Sequence, residues 1–173
     1  MNVNGFTLKA VKAFKGHEGE PCFQGNIYLE NKKVGWFSFS YTMGPMDIRF
    51  DEPEIEKRFV ETAVAFDKAY PLGFLYYNAP FKLDPKYNDI VTEVEAEDLV
   101  LEMLAIQAAE KDYKFATKGG NPVVIYFYKD GTTQACQMNP KFSKQQAESY
   151  FKFQCNAEIL LYADSLKVFE IEV

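Results

Sequence analysis

The run from Cys22 to Phe50, CFQGNIYLENKKVGWFSFSYTMGPMDIRF, leaves this chain little choice but an antiparallel sheet. Phe23, Gly25, Ile27 and Leu29 are apolar or glycine at every second position, while Gln24, Asn26 and Glu30 fall on the opposite parity. A period of two puts one set on a buried face and the other in water. Asn31-Lys32-Lys33 is a polar tip where the chain can reverse. The next run places Phe37, Phe39 and Tyr41 on one face and Val34, Trp36, Ser38 and Ser40 on the other. Bulky residues on both sides predict cover on both sides, at least at one end. Thr42-Met43-Gly44-Pro45 supplies a second turn. Met46, Ile48 and Phe50 alternating with Asp47 and Arg49 then read as a third strand.

The flanks extend this pattern. Gly5 to Phe14 reads as a preceding strand whose alternation slips near Ala10 and Val11, the signature of a bulge. Lys15 to Pro21 is a loop. Asp51-Glu52-Pro53-Glu54 opens a helix, since proline suits a first turn and acids suit its donors. Ile55, Phe59, Ala63, Phe66 and Tyr70 give it one apolar stripe, and Pro71 ends it. Leu72 to Asp89 has no clean period. Thr92 with Glu95 forms a capping box, followed by Val94, Ala96, Leu99, Val100, Met103 and Ile106 on a helix running to about Lys111. Gly119-Gly120-Asn121-Pro122 breaks the chain. A strand at 123–128, a turn at Asp130-Gly131 and a returning strand at 133–138 make a hairpin. Ser143 with Gln146 caps a helix whose Ala147, Tyr150 and Phe151 share a face. Strands at 157–162 and 168–171 complete the series. The expected fold is α+β: an antiparallel N-terminal meander packed by helices in residues 1–118, and a C-terminal ββαβ unit in 119–173, packed as one compact protein.

Charge and cysteine usage narrow the function. The net charge is −6, so the chain as a whole repels phosphate, and direct nucleic-acid binding is disfavoured unless a local basic face exists. Arg49 and Arg58 are the two arginines, and arginine is the usual bidentate reader of guanine and phosphate. Cys22, Cys136 and Cys155 are odd in number and widely spaced, which fits reduced thiols rather than a disulfide scaffold. Without a leader pattern or a long apolar run, the sequence predicts a cytoplasmic protein that does not enter a membrane.

CFQGNIYLENKKVGWFS followed by MDIRFD resembles the opening of small uncharacterised proteins encoded by bacteriophages and mobile elements. Cys22, Phe23, Tyr28, Leu29, Lys33, Val34, Gly35, Gly44 and Phe50 carry the likeness, with Met43-Gly44-Pro45 where a Gly-Gly turn is usual. The segment VVIYFYKDGTTQACQMNPKFSKQQAESYFKFQ resembles their tail of hairpin, short helix and strand. The resemblance implies a context, an accessory or anti-defence protein of anti-CRISPR type acting in a host cytoplasm. It implies no catalytic residue.

His17, the single histidine, lies between Gly16 and Gly19 with no orienting partner in view, so pairing with Cys22 as a hydrolase is the remoter alternative. One histidine and three scattered cysteines are a poor zinc signature, and no cofactor is expected. Gly119-Gly120-Asn121 precedes a strand rather than a helix, which is wrong for a phosphate loop. The strongest signal is an acidic tract preceded by aromatics: Tyr76, Tyr77, Phe81, Asp84, Tyr87, Asp89, Glu93, Glu95, Glu97 and Asp98. It reads either as a solvated helix start beside a small packed core, or as a face docking on a basic host protein or ribonucleoprotein. The sequence therefore favours a non-enzymatic inhibitor of a host nucleic-acid-handling or defence complex, such as a CRISPR effector. The alternative is a small single-stranded nucleic-acid-binding protein using Lys9, Lys12, Lys15, Lys32 and Lys33 with aromatic stacking.

Overall fold

A computed structural model describes residues 1–40, 44–71, 73–76, 94–116, 121–128 and 133–173. In chain order the strands are β1 (Asn2–Val3), β2 (Phe6–Lys15), β3 (Pro21–Leu29), β4 (Lys32–Ser40), β5 (Asp47–Phe50), β6 (Val123–Phe127), β7 (Thr133–Gln137), β8 (Glu158–Ala163) and β9 (Glu170–Ile171). The helices are α1 (Pro53–Ala69), α2 (Ala96–Ala116) and α3 (Lys144–Gln154), with 3-10 turns at Phe74–Tyr76 and Leu166–Phe169. The protein is α+β, and the strand pairs of defined register are antiparallel. Two compact units divide the chain: Met1–Ala69 with Val94–Leu104 and Ile171–Val173, and Tyr70–Glu93 with Ala105–Glu170. The expected break at Gly119-Gly120 lies outside the described residues.

The first unit is built on a six-stranded sheet of order β5-β4-β3-β2-β1-β9. Its meander follows the sequence pattern, because each strand has one apolar parity to bury. Phe6, Leu8, Ile27 and Phe37 are buried on the inner face. From α1, Phe59 meets Phe6 edge-on at 4.9 Å and Phe50 at 5.2 Å, and Thr62, Ala63 and Phe66 are buried beside it. Gly25 on β3 faces the Phe37 ring, and a Cβ added there would lie 2.7 Å from it, so the position takes no side chain. The β3–β4 turn is the two residues Glu30 and Asn31, one residue earlier than the expected tip, with Glu30 at φ 56°.

Several expectations are corrected. Val34 is buried with Gly35 and Phe37 instead of sharing a face with Trp36. The register passes from Ile27↔Gly35 to Tyr28↔Lys33, skipping Val34. Such a bulge lets two consecutive residues turn inward. Around Trp36, 38% exposed, this face is open, while its far end buries Cys22. The helix α2 begins at Ala96, and Asp98 accepts the Glu95 N–H at 2.8 Å, giving the helix a start of its own; Thr92, expected to cap it with Glu95, lies outside the described residues. Val168 lies in a 3-10 turn, and only Glu170–Ile171 forms a strand. The short β1 was not legible, since two residues carry no period.

The second unit holds a three-stranded sheet of order β7-β6-β8. With α3 between β7 and β8 this is the expected ββαβ unit. Ser143 and Gln146 form a full capping box at the start of α3, satisfying two backbone donors that would otherwise lack partners. Val124, Tyr126, Met138, Ala147, Phe151, Ala157 and Ile159 make one buried cluster. Tyr150 does not join it: it is 48% exposed, with its ring perpendicular to that of Phe151 at 5.4 Å. Tyr113 of α2 lies 5.9 Å from Phe169 and donates to the Asp164 carbonyl at 3.0 Å.

Candidate functional site

Strand register determines which side chains meet on the open face of the first sheet. Residues directly opposite in antiparallel strands point the same way, and successive residues of one strand alternate. One row across the sheet is Lys9, Asn26, Trp36 and Arg49. The next is Lys12, Gln24, Ser38 and Asp47. Toward the β3–β4 turn lie Thr7, Tyr28 and Lys33, and at the other end Phe14, Cys22 and Ser40.

The alignment of Lys9 and Lys12 on one face needs an extra residue between them, because in a regular strand their odd spacing would send them to opposite sides. The bulge supplies it: Ala10 and Val11 together oppose the single residue Gly25. Ala10 adopts φ 53°, the left-handed region where glycine is usual. This local cost turns Lys12 outward. Beside it the surface sinks into an open groove of about 380 Å³, lined by Ala10, Lys12, Gln24, Asn26, Trp36 and Ser38 and floored by Gly25 and Phe37.

The groove has a defined chemistry. Trp36 is 38% exposed, leaving ring surface available to a flat partner. Gln24 and Asn26 bring amide groups that both donate and accept. The Lys9 ammonium sits 4.4 Å from the centre of the Tyr28 ring, a cation–π contact that holds the charge at the groove edge. Arg49 Nε reaches Asp47 Oδ1 at 2.9 Å. Among the described residues, Lys9, Lys12, Lys33 and Arg49 are thus set against one carboxylate, Asp47, on the outer face of β2–β5.

The residues singled out from sequence distribute differently. Glu95 is exposed at the start of α2. Glu97 accepts the Met46 N–H at 2.9 Å, tying the helix start to the approach to β5. Asp98 is exposed and caps Glu95. Both roles account for these carboxylates within the fold. Tyr76 lies in the 3-10 turn at Phe74–Tyr76. Tyr77, Phe81, Asp84, Tyr87, Asp89 and Glu93 lie outside the described residues. Of the five lysines expected to serve nucleic-acid binding, Lys9, Lys12 and Lys33 share the face of Trp36. Lys15 and Lys32 sit at strand ends, and Lys32 pairs with Glu52 at 3.2 Å. His17 is exposed in a loop closed by its own backbone bonds, Gly16 N–H to Glu20 and Gly19 N–H to Gly16. Cys22 is buried and its thiol donates to the Glu20 carbonyl. All three cysteines are free thiols. Among the described residues no three His, Cys, Asp or Glu side chains gather as a metal site, and no helix is long and apolar enough to cross a membrane.

Sequence reasoning missed Trp36, Tyr28 and Arg49. The parity of Trp36 with Ser38 and Ser40 was the available signal: a lone tryptophan on the polar parity of a strand has left the core. No family model, no curated protein and no solved structure matches the chain.

Proposed function

We propose that this is a non-catalytic binding protein that recognises its partner through the groove on the outer face of β2–β4. The observation that carries the reading is the exposed Trp36 ring beside a strained bulge that brings Lys12 into line. A large aromatic left more than a third in water is a stacking surface, and strained backbone concentrates where a surface is shaped for use. Cys22 is buried and His17 is exposed in a loop, which weighs against a thiol–imidazole pair and supports the non-catalytic reading.

A second reading places the contact on the exposed Glu95 and Asp98 at the head of α2, as the edge of an acidic surface docking on a host defence complex. The two separate in one experiment. The tagged protein is compared with Trp36→Ala and with Glu95→Lys for retention of partners from a host extract. The groove reading expects a partner that Trp36→Ala loses and Glu95→Lys keeps. The opposite pattern favours the acidic surface. Equal retention by both variants sinks both.

A further inference from the structure

We infer that the groove takes a segment of single-stranded nucleic acid, an inference that rests on the groove being a binding site at all. Three features point to this ligand class.

The first is the sign of the charge. The chain carries 25 acids against 19 bases, yet the outer face of β2–β5 reverses the excess. Lys9, Lys12, Lys33 and Arg49 are exposed there, and Asp47, which Arg49 already engages, is the one carboxylate among the described residues of these strands. Same-face residues repeat about every 7 Å along a strand and neighbouring strands lie about 4.8 Å apart. The cations therefore spread across the face and track an extended anionic backbone rather than focusing on one point. A neutral sugar would have no use for them.

The second is the aromatic surface. Lys9 lies over the Tyr28 ring, while Trp36 keeps an open ring within the groove. Stacking on it requires a base that is not already stacked between neighbours, which a duplex does not offer and a single strand does. An acidic peptide would satisfy the lysines and leave this ring idle.

The third is the polar lining between ring and charge. Gln24, Asn26 and Ser38 stand where the edge of a stacked base would fall, with donors and acceptors that rotate to suit. Such a lining tolerates every base, so binding should show little sequence preference.

Trp36 is the only tryptophan in the chain, so selectively excited intrinsic fluorescence reports this groove alone. An oligothymidylate should quench it, and affinity should fall with salt at a log–log slope of about −2, since each neutralised phosphate of a single strand contributes about −0.7. The double variant Lys9→Ala/Lys12→Ala should flatten that slope to about −0.7. Trp36→Ala, followed with a labelled oligonucleotide, should weaken binding about 5- to 150-fold, and Trp36→Phe should recover part of the loss. Circular dichroism of each variant checks that the fold persists. A blunt duplex bound as tightly as the single strand overturns the inference. No quenching by oligothymidylate or single-stranded RNA, with quenching by an acidic peptide or a neutral oligosaccharide, overturns the nucleic-acid assignment and leaves the groove standing. Silence toward all of these ligands removes the groove reading as well.

Discussion

Tyr126 shows how one side chain couples packing to pH. It is 7% exposed, its ring lies 4.4 Å from that of Phe151, and its hydroxyl bonds to Gln134 Oε1 at 3.0 Å. Burial above all, then the hydrogen bond with Tyr128 and the nearby Tyr128, Cys136 and Cys155, raises its pKa above the ordinary 10.0. The unfolded phenol ionises near pH 10 while the folded one keeps its proton. Above that pH the unfolded state binds fewer protons, so stability falls as pH rises; below it the group contributes no slope. Denaturant midpoints measured from neutral to strongly alkaline pH should therefore drop less steeply for Tyr126→Phe than for wild type. At neutral pH the variant should lose about 0.5–1.5 kcal/mol with its hydrogen bond. Tyr162, raised by burial and by Asp164, leaves a residual slope in both proteins. Identical alkaline slopes would show that the Tyr126 phenol does not titrate differently in the two states. Burial of this kind was half legible: VVIYFY announces a strand, but a run apolar on both parities does not say which face meets α3.

At the scale of elements, the sequence spoke most clearly where a period or a cap acts locally. The stripe on α1 buries Phe59, Ala63 and Phe66 as its spacing requires, and the Ser143–Gln146 box forms because both partners lie within one turn. Legibility failed where one residue decides parity. The bulge at Val34 reversed its face, and the helix start at Ala96 draws on Asp98, whose side chain accepts the Glu95 N–H. The β2 bulge was visible as a slip, but its consequence, a line of lysines beside Trp36, needed the register of two neighbouring strands. That bulge also allows a direct test. Alanine at φ 53° costs on the order of 1 kcal/mol relative to glycine. Ala10→Gly should thus raise stability by up to about 1 kcal/mol, against the usual loss for glycine within a strand. Ala10→Val should lower it, because a β-branched side chain tolerates that region poorly. Urea midpoints decide the matter, and a destabilised Ala10→Gly would mean that the left-handed bulge is misassigned.

For the whole molecule, the organising contact is one that no local pattern announces. β9 lies beside β1, and Asn4 holds the pair from both sides. Its backbone N–H donates to the Ile171 carbonyl at 3.0 Å. Its side chain donates to the Val173 carbonyl at 2.8 Å and accepts the Val173 N–H at 2.9 Å. Asn4 also sits at φ 48°, which asparagine tolerates better than most residues. Asn4→Gly keeps the backbone and removes the clasp, so it should cost about 1–3 kcal/mol for two hydrogen bonds. Amide exchange at Val173 should quicken while that of β3 and β4 barely changes. Uniform acceleration across the sheet would mean that the clasp is not a local device.

That contact spans a sequence separation of 169 residues, and this has a consequence for how the protein is made. β1 to β5 join through short-range hairpins, which close early and fast. Their last partner is synthesised roughly 120 residues after Phe50, a delay of about 6–24 s at ordinary ribosomal rates. Through that interval the flank of β1 has no strand to complete it. An open strand flank recruits whatever extended chain is near, including a sister chain on the same message. The two-residue length of β1 limits that exposure, and its pairing with β9 is the last contact of this sheet that synthesis permits.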